Sequence, residues 1–76
     1  MARAVIDFSE DISHLIPRIS KTIKDVACNQ DATVAGFRFE EFRIIVEKNR
    51  ITIHGTDDEK TINRFLEWLA GEINNG

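Results

Sequence analysis

Cysteine is nearly absent from the sequence, which has a single thiol, Cys28, among 76 residues. One thiol excludes a disulfide within the chain and every zinc or iron–sulfur site that takes several cysteines from one chain. A lone cysteine with no histidine close to it in sequence is more often a small buried hydrophobe than a nucleophile. A buried Cys28 is therefore the favoured interpretation, with a reactive thiol as the alternative, and we expect no metal site and no cofactor.

Long apolar runs, repeats and linkers are absent as well. No apolar run approaches the roughly 18 residues that span a bilayer, and the opening residues MARAVIDFSED lack the apolar region of a signal peptide. The four glycines and one proline interrupt one continuous pattern. The sequence therefore predicts a cytoplasmic protein without membrane contact, in which residues 1–76 form a single domain.

Catalytic motifs are a further absence. The sequence contains no phosphate-binding glycine loop, nucleophile elbow or metal-ligand motif, and its two histidines, His14 and His54, lie far apart. The composition is ordinary, with 42% hydrophobic residues, 30% charged residues and a net charge of −3. We expect a protein that is not an enzyme and has no catalytic residues.

The first part of the chain predicts a strand followed by a helix. Residues 3–8, RAVIDF, alternate as a short strand does. Apolar residues then recur at spacings of three and four, as in an amphipathic helix of about four turns. The members of this stripe are Ile12, Leu15, Ile16, Ile19, Ile23 and Val26. Asp11 or Ser13 can cap the helix, and Pro17 falls in or near its first turn, where a missing N–H is tolerated.

Two hairpins are predicted in the middle of the chain because both bury the same sheet face. Turns at Glu40–Glu41 and Lys48–Asn49 align the flanking strands, although neither is the Asn-Gly or Asp-Gly pair that such turns prefer, so one loop could be longer or bulged. Glu47 and Arg50 are then expected to form a cross-strand ion pair. The predicted cross-strand pairs are Ala35 with Val46, Phe37 with Ile44, Phe39 with Phe42, Val46 with Ile51 and Ile44 with Ile53.

The carboxylates of GTDDEKTINRFLEWL, residues 55–69, predict a helix start. Thr56 and Glu59 have the spacing of a capping box, and Asp57 and Asp58 place negative charge where the helix dipole is positive. Consecutive helical side chains diverge by about 100°, so these carboxylates do not converge on one cation. The helix that follows is expected to end near NNG. Its predicted buried residues are Ile62, Phe65, Leu66, Leu69 and Ile73.

The predicted fold class is α+β, a two-layer sandwich of order β-α-β-β-β-α whose antiparallel meander carries both helices on one face. The other sheet face is left open. One row of opposite residues on that face is predicted to be Arg38, Arg43 and His54. The next row is predicted to be Gly36, Ile45 and Thr52.

The row containing Arg38, Arg43 and His54 is the candidate site, a surface for an anion or a partner. Two arginines directly opposite each other repel. A phosphate or carboxylate lying between their guanidinium groups would remove that repulsion. The alternative is a solvated surface whose arginines turn towards neighbouring glutamates, because most surface charges bind no ligand.

Nucleic-acid binding is an alternative function, because helix, three antiparallel strands and helix is also the layout of the double-stranded RNA-binding domain. Arg18, Lys21 and Lys24 on the first helix favour it. The start of the second helix, TDDEK, is acidic where those domains are basic, and the whole chain is acidic. We therefore expect no nucleic-acid partner, and a small-anion-binding regulatory domain is a further alternative.

Four short motifs point to a family. They are Asp11, Ile12, Ser13 and Pro17; Asn29 and Ala32; Arg43, Ile44, Val46, Ile51 and Ile53; and Trp68, Leu69, Ile73 and Asn74. Together they cover nearly the whole chain. In these motifs the sequence resembles a small domain of anaerobic bacteria and archaea that accompanies four-cysteine iron–sulfur modules of the corrinoid iron–sulfur protein type.

The resemblance implies work beside an iron–sulfur or corrinoid redox protein. The family's cluster is carried by an adjacent cysteine-rich segment, which this chain lacks, so cluster ligation does not carry over. The expected function is a non-catalytic interaction module, monomeric or weakly homodimeric. Its expected partner is a protein bound in trans on the exposed sheet face.

Overall fold

The computed structural model describes residues 2–75, and side chains over residues 2–74. It contains an antiparallel sheet and two helices, so the α+β class is confirmed. Neither helix has the length and apolarity that a membrane crossing requires. The elements are β1 (Arg3–Asp7), α1 (Leu15–Thr22), β2 (Ala27–Cys28), β3 (Ala35–Phe39), β4 (Phe42–Val46), β5 (Arg50–His54) and α2 (Glu59–Asn75).

The strands lie in the order β1-β5-β4-β3-β2, and every neighbouring pair is antiparallel. The sequence pattern left the partner of the first strand open, and the structure pairs it with β5. The predicted order β-α-β-β-β-α is wrong in one respect, because it lacks the two-residue strand β2. Two residues are too few to show an alternating pattern, so β2 is defined only by its pairing with β3.

Both predicted hairpins have the predicted register, and all five cross-strand pairs are confirmed. The turn after β3 places Glu40 at a φ of 55°. Its carboxylate accepts hydrogen bonds from Arg64 of α2, at 3.0 Å from Nε and 2.9 Å from Nη2. This pairing ties the hairpin turn to the second helix, and it raises the pKa of Arg64.

The predicted ion pair between Glu47 and Arg50 is wrong. The N–H of Glu47 donates to the carbonyl of Arg50 at 2.8 Å, as in a tight turn. The Arg50 side chain instead donates from Nε to Asp7 Oδ1 at 2.8 Å. The reason is the position of β1, which places Asp7 directly opposite Arg50.

Helix α1 is shorter than the four turns predicted from its apolar stripe. It ends at Thr22, because Ile23 is extended (φ −106°, ψ 133°) and Asp25 has a φ of 60°. Ile23 and Val26 still pack against the core from the segment that follows the helix. Apolar spacing alone therefore did not distinguish the last helical turn from the chain after it.

The start of α1 is ordered by Asp11, which does not itself cap the helix. Asp11 Oδ1 accepts hydrogen bonds from the N–H and the hydroxyl of Ser13, at 2.8 and 2.6 Å. These bonds lower the pKa of Asp11. His14 occupies the N-cap position without a side-chain cap, and Pro17 falls in the first turn as expected.

Helix α2 is capped by Asp58, so the predicted capping box of Thr56 and Glu59 is wrong. Asp58 Oδ2 accepts hydrogen bonds from the N–H of Thr61 at 3.2 Å and from its hydroxyl at 3.1 Å. Thr56 Oγ1 accepts a hydrogen bond from the N–H of Asp58 at 3.0 Å, so it orders the residues just before the helix and does not cap the helix itself. Because Glu59 is already the first helical residue, the carboxylate in the cap position belongs to Asp58.

The hydrophobic core joins one face of the sheet to both helices. Ile16 and Ile19 enter it from α1, and Phe65 and Leu69 enter it from α2. Arg18 also links the helices, because its Nη2 donates to the carbonyl of Ile73 at 2.9 Å. An aromatic group with ring centroids 5.0 to 6.3 Å apart lies within the core. Its members are Phe37, Phe39, Phe65 and Trp68.

The cap of α2 predicts which aspartate contributes to stability. Replacing Asp58 by alanine should lower the free energy of unfolding by about 1 kcal/mol, because two hydrogen bonds at the helix start are lost. Urea denaturation at neutral pH measures the change. The matched control is Asp57→Ala, which removes the neighbouring exposed carboxylate and should have a much smaller effect. Equal losses in both variants would contradict the assignment of Asp58 as the cap.

Two glycines predict stability changes of opposite sign. Gly55 has a φ of 110°, which favours glycine, and an added Cβ would lie 3.1 Å from Phe42 Cδ1. Gly55→Ala should therefore destabilise the protein by about 1 to 3 kcal/mol. Gly71 lies within α2 with nothing within 4 Å of an added Cβ, so Gly71→Ala should stabilise it by about 0.5 to 1 kcal/mol. Thermal or urea denaturation of both variants checks the prediction. A stable Gly55→Ala protein would show that the turn relaxes.

Candidate functional site

The candidate site is a row of four basic side chains that crosses the open face of the sheet. Cross-strand pairing places one residue on each of four neighbouring strands. We call this set the basic row, and its members in order are Arg3, His54, Arg43 and Arg38. The structure brings together the three residues predicted from the sequence and adds Arg3, which sequence reasoning missed because the partner of β1 was unknown.

The basic row is exposed and has no acidic partner among the described residues. Within residues 2–74 the ion pairs shorter than 4.0 Å are Arg50 with Asp7 and Arg64 with Glu40. Glu40, one of the glutamates towards which the sheet arginines could have turned, is thus bonded to α2. Directly opposite residues have Cβ atoms about 5 Å apart, so the positive charges of the basic row lie close together.

A row of uncharged residues runs beside the basic row. Its members are Val5, Thr52, Ile45 and Gly36. Thr52 is only 9% exposed although it lies on the open face, whereas Val5 at the sheet edge is 45% exposed. A Cβ on Gly36 would lie 3.4 Å from Ile45 Cδ1, so the missing side chain lets Ile45 lie across β3. The centre of the open face therefore has low relief and is mostly apolar.

On the side of the uncharged row away from the basic row, positive and negative side chains neutralise each other. Asp7 and Arg50 form their ion pair there, and the hydrogen bond to Asp7 raises the pKa of Arg50. Glu47 adds a second negative charge near Arg50. Among the described residues, positive charge without an acidic partner thus lies on one side of the open face only. An anionic group bound to this face would therefore be held on the side of the basic row.

A shallow depression of about 380 Å³ lies beside the basic row. It is lined by Glu41, Arg43, Ile45, His54 and Gly55. The backbone of Gly55 also donates to the carbonyl of Ala2 at 3.0 Å, which holds the start of β1 against β5. An anion in this depression would contact Arg43 and His54 and avoid the carboxylate of Glu41.

The other candidates from the sequence lie elsewhere. Cys28 is exposed on the edge strand β2, so the expectation of a buried thiol is wrong, and its Sγ lies 3.0 Å from the hydroxyl of Ser20. His14 is exposed at the start of α1, with Nδ1 3.2 Å from the carbonyl of Asp11. The described part of the chain contains no group of three or more His, Cys, Asp or Glu side chains placed to hold a metal ion.

Comparisons with protein-family models, with curated proteins and with solved structures found no match to this chain. The resemblance to the domain that accompanies iron–sulfur modules therefore stays a prediction from the sequence. The geometry and charge of the open face are the basis for assigning a function.

The basic row predicts a measurable affinity for small anions. Millimolar sulfate should shift the backbone amide resonances of the basic row, because charge-assisted hydrogen bonds form to the guanidinium groups. Arg43→Gln should weaken this binding about two- to fivefold, since Arg43 lies between Arg38 and His54. Arg50→Gln is the control on the same face, because its guanidinium is already bonded to Asp7. Unmoved resonances in the native protein would identify the row as a solvated surface.

Proposed function

We propose that the protein is a non-catalytic interaction module that binds an acidic protein surface on its open sheet face. The observation that carries this proposal is the basic row, which has no acidic partner among the described residues although the chain has a net charge of −3. Positive charge is therefore local to one face of an acidic molecule. Such a face attracts an acidic partner, while the negative charge of the rest of the molecule repels the partner when it approaches from other directions.

The relief and composition of the open face support a protein partner. Protein interfaces combine an apolar centre with a polar rim, and arginine is enriched among the residues that contribute most to binding. Here Ile45 and Val5 supply apolar surface, and the basic row supplies the charged margin. A flat face of this kind suits a partner surface that has an apolar patch with carboxylates along one edge of it.

The partner class is supported by the resemblance found in the sequence. We propose an iron–sulfur or corrinoid redox protein, bound in trans in the cytoplasm, whose acidic surface faces the basic row. The interaction module would contribute binding and orientation, and the partner would carry the cluster or corrinoid. The exposed Arg38 and Arg43 are the residues that we expect to decide the affinity.

Two alternative functions have support from other observations. A double-stranded RNA ligand is favoured by the exposed Lys21 of α1 and Lys24 just after it, but the exposed carboxylates of Asp57 and Glu59 near the start of α2 oppose phosphate. The described residues of the open face include no Phe, Tyr or Trp side chain on which a single-stranded base could stack. A regulatory small anion is favoured by the depression beside Arg43 and His54.

The test is retention of a redox protein from an anaerobic lysate by the immobilised protein. We expect the native protein to retain a partner with iron–sulfur or corrinoid absorption, in a manner that high salt weakens. Arg38→Glu/Arg43→Glu should abolish retention, because two attractive charges become repulsive. Lys21→Glu/Lys24→Glu makes the same change in net charge at the C-terminal end of α1 and just beyond it, and should have little effect.

The outcomes separate the candidate functions. Equal retention by both charge-reversal variants would remove the open face from the interaction. Loss of retention in Lys21→Glu/Lys24→Glu, together with a salt-sensitive mobility shift of duplex RNA, would favour nucleic acid. No retained redox protein, with sulfate or nucleotide shifts centred on Arg43 and His54, would favour the small-anion function.

A further inference from the structure

The outer edge of β1 is a second surface with a defined binding geometry. β1 is the terminal strand of the sheet, and no described residue pairs with its outer side. Its pairing with β5 is bounded by two backbone hydrogen bonds. The N–H of Gly55 donates to Ala2 at 3.0 Å, and the N–H of Phe8 donates to Asn49 at 2.9 Å.

These two bonds determine which backbone groups of β1 remain available. Alternate residues of an antiparallel strand bond to the same neighbour, so the even-numbered residues from 2 to 8 bond to β5. The N–H and C=O groups of Arg3, Val5 and Asp7 therefore point away from the sheet. They form a short edge that a further strand can pair with.

The side chains of the outward-pointing residues are self-complementary. If β1 pairs antiparallel with a second β1 about a two-fold axis at Val5, Arg3 lies directly opposite Asp7 of the partner subunit. Val5, which is 45% exposed, lies opposite Val5 of the partner subunit. Charges on an edge strand commonly prevent pairing, but opposite charges at the two ends favour this antiparallel register.

The direction of the backbone N–H and C=O groups and the pattern of side chains require the same register between the two β1 strands. With Val5 at the axis, every residue whose N–H and C=O point outward faces another such residue, so the hydrogen-bonded pairs of the ladder form. A shift of two residues keeps this phase but places Arg3 or Asp7 opposite a valine. A shift of one residue places outward-pointing groups opposite residues already bonded to β5.

We propose that the protein forms a weak homodimer through β1, antiparallel and two-fold symmetric about Val5, with one continuous sheet across both subunits. Asp7 can take part while it holds Arg50, because Arg50 bonds to Oδ1 and Oδ2 is available to Arg3 of the partner subunit. Both open faces lie on the same side of the joined sheet. This dimer does not rest on the proposed docking function, since Arg38 and Arg43 lie on other strands.

A charge-swap cycle tests both the interface and its register. Sedimentation velocity of the full chain, from micromolar to millimolar concentration, should show a concentration-dependent dimer. Arg3→Asp and Asp7→Arg should each raise the dissociation constant by about tenfold or more, because both symmetry-related charge pairs become repulsive. An equimolar mixture of the two single variants, and the double variant R3D/D7R, should recover the native dissociation constant to within about threefold.

Val5→Asp provides an independent variant at the two-fold axis. It places two carboxylates against each other, so it should abolish the dimer, while Val34→Asp introduces the same charge at a valine with 38% exposure outside β1 and should not. Circular dichroism confirms that each variant is folded. Amide hydrogen exchange gives a second readout, because Arg3, Val5 and Asp7 should become protected as the protein concentration rises.

Three results would overturn this proposal. One is a monomer at all concentrations, and another is a dimer that Val5→Asp leaves intact. The third is a mixture of the two single charge variants that stays monomeric while the native protein dimerises. None of these results bears on retention of a redox protein, which depends on Arg38 and Arg43.

Discussion

The rest of the structure depends on the register between β3, β4 and β5. Phe37, Ile44 and Ile53 lie side by side across these strands and are at most 4% exposed. A slip of one residue would turn these side chains to the open face and bury the basic ones. The burial of this apolar row therefore also aligns Arg38, Arg43 and His54 on the opposite face. The candidate site is a direct geometric consequence of the core.

Charge on this protein is divided between pairs that support the fold and residues that are available for binding. Arg64 holds the turn at Glu40, and Arg50 holds Asp7, so these two arginines support the structure. Asp58 caps α2. The basic row has no such ion-pair partner among the described residues, which is why we propose that it binds a partner. Both ion pairs are exposed, so they orient neighbouring elements more than they add stability.

Two binding surfaces can operate together on one small sheet. In our proposals, docking of an acidic partner would use the open face, whereas homodimerisation would use the edge of β1. Arg3 belongs to both, because it ends the basic row and also lies opposite Asp7 of the partner subunit in the dimer. In the dimer, Arg3 would form an ion pair with Asp7 of the partner subunit. Arg38, Arg43 and His54 would remain available to the acidic partner. The dimer would present two such sets on one side of the joined sheet, which favours a bivalent partner.

The local pattern of the sequence determined the hairpins, their register and the existence of both helices, because alternation and three-four spacing reflect neighbouring residues. It also determined three of the four members of the basic row, since β3, β4 and β5 are connected by short turns. Only the tertiary structure decided the position of β1, and with it the place of Arg3 and the pairing of Arg50 with Asp7. The same holds for β2, the end of α1 at Thr22 and the exposure of Cys28. These features depend on contacts between distant residues or on a single backbone angle, which a periodic pattern does not record.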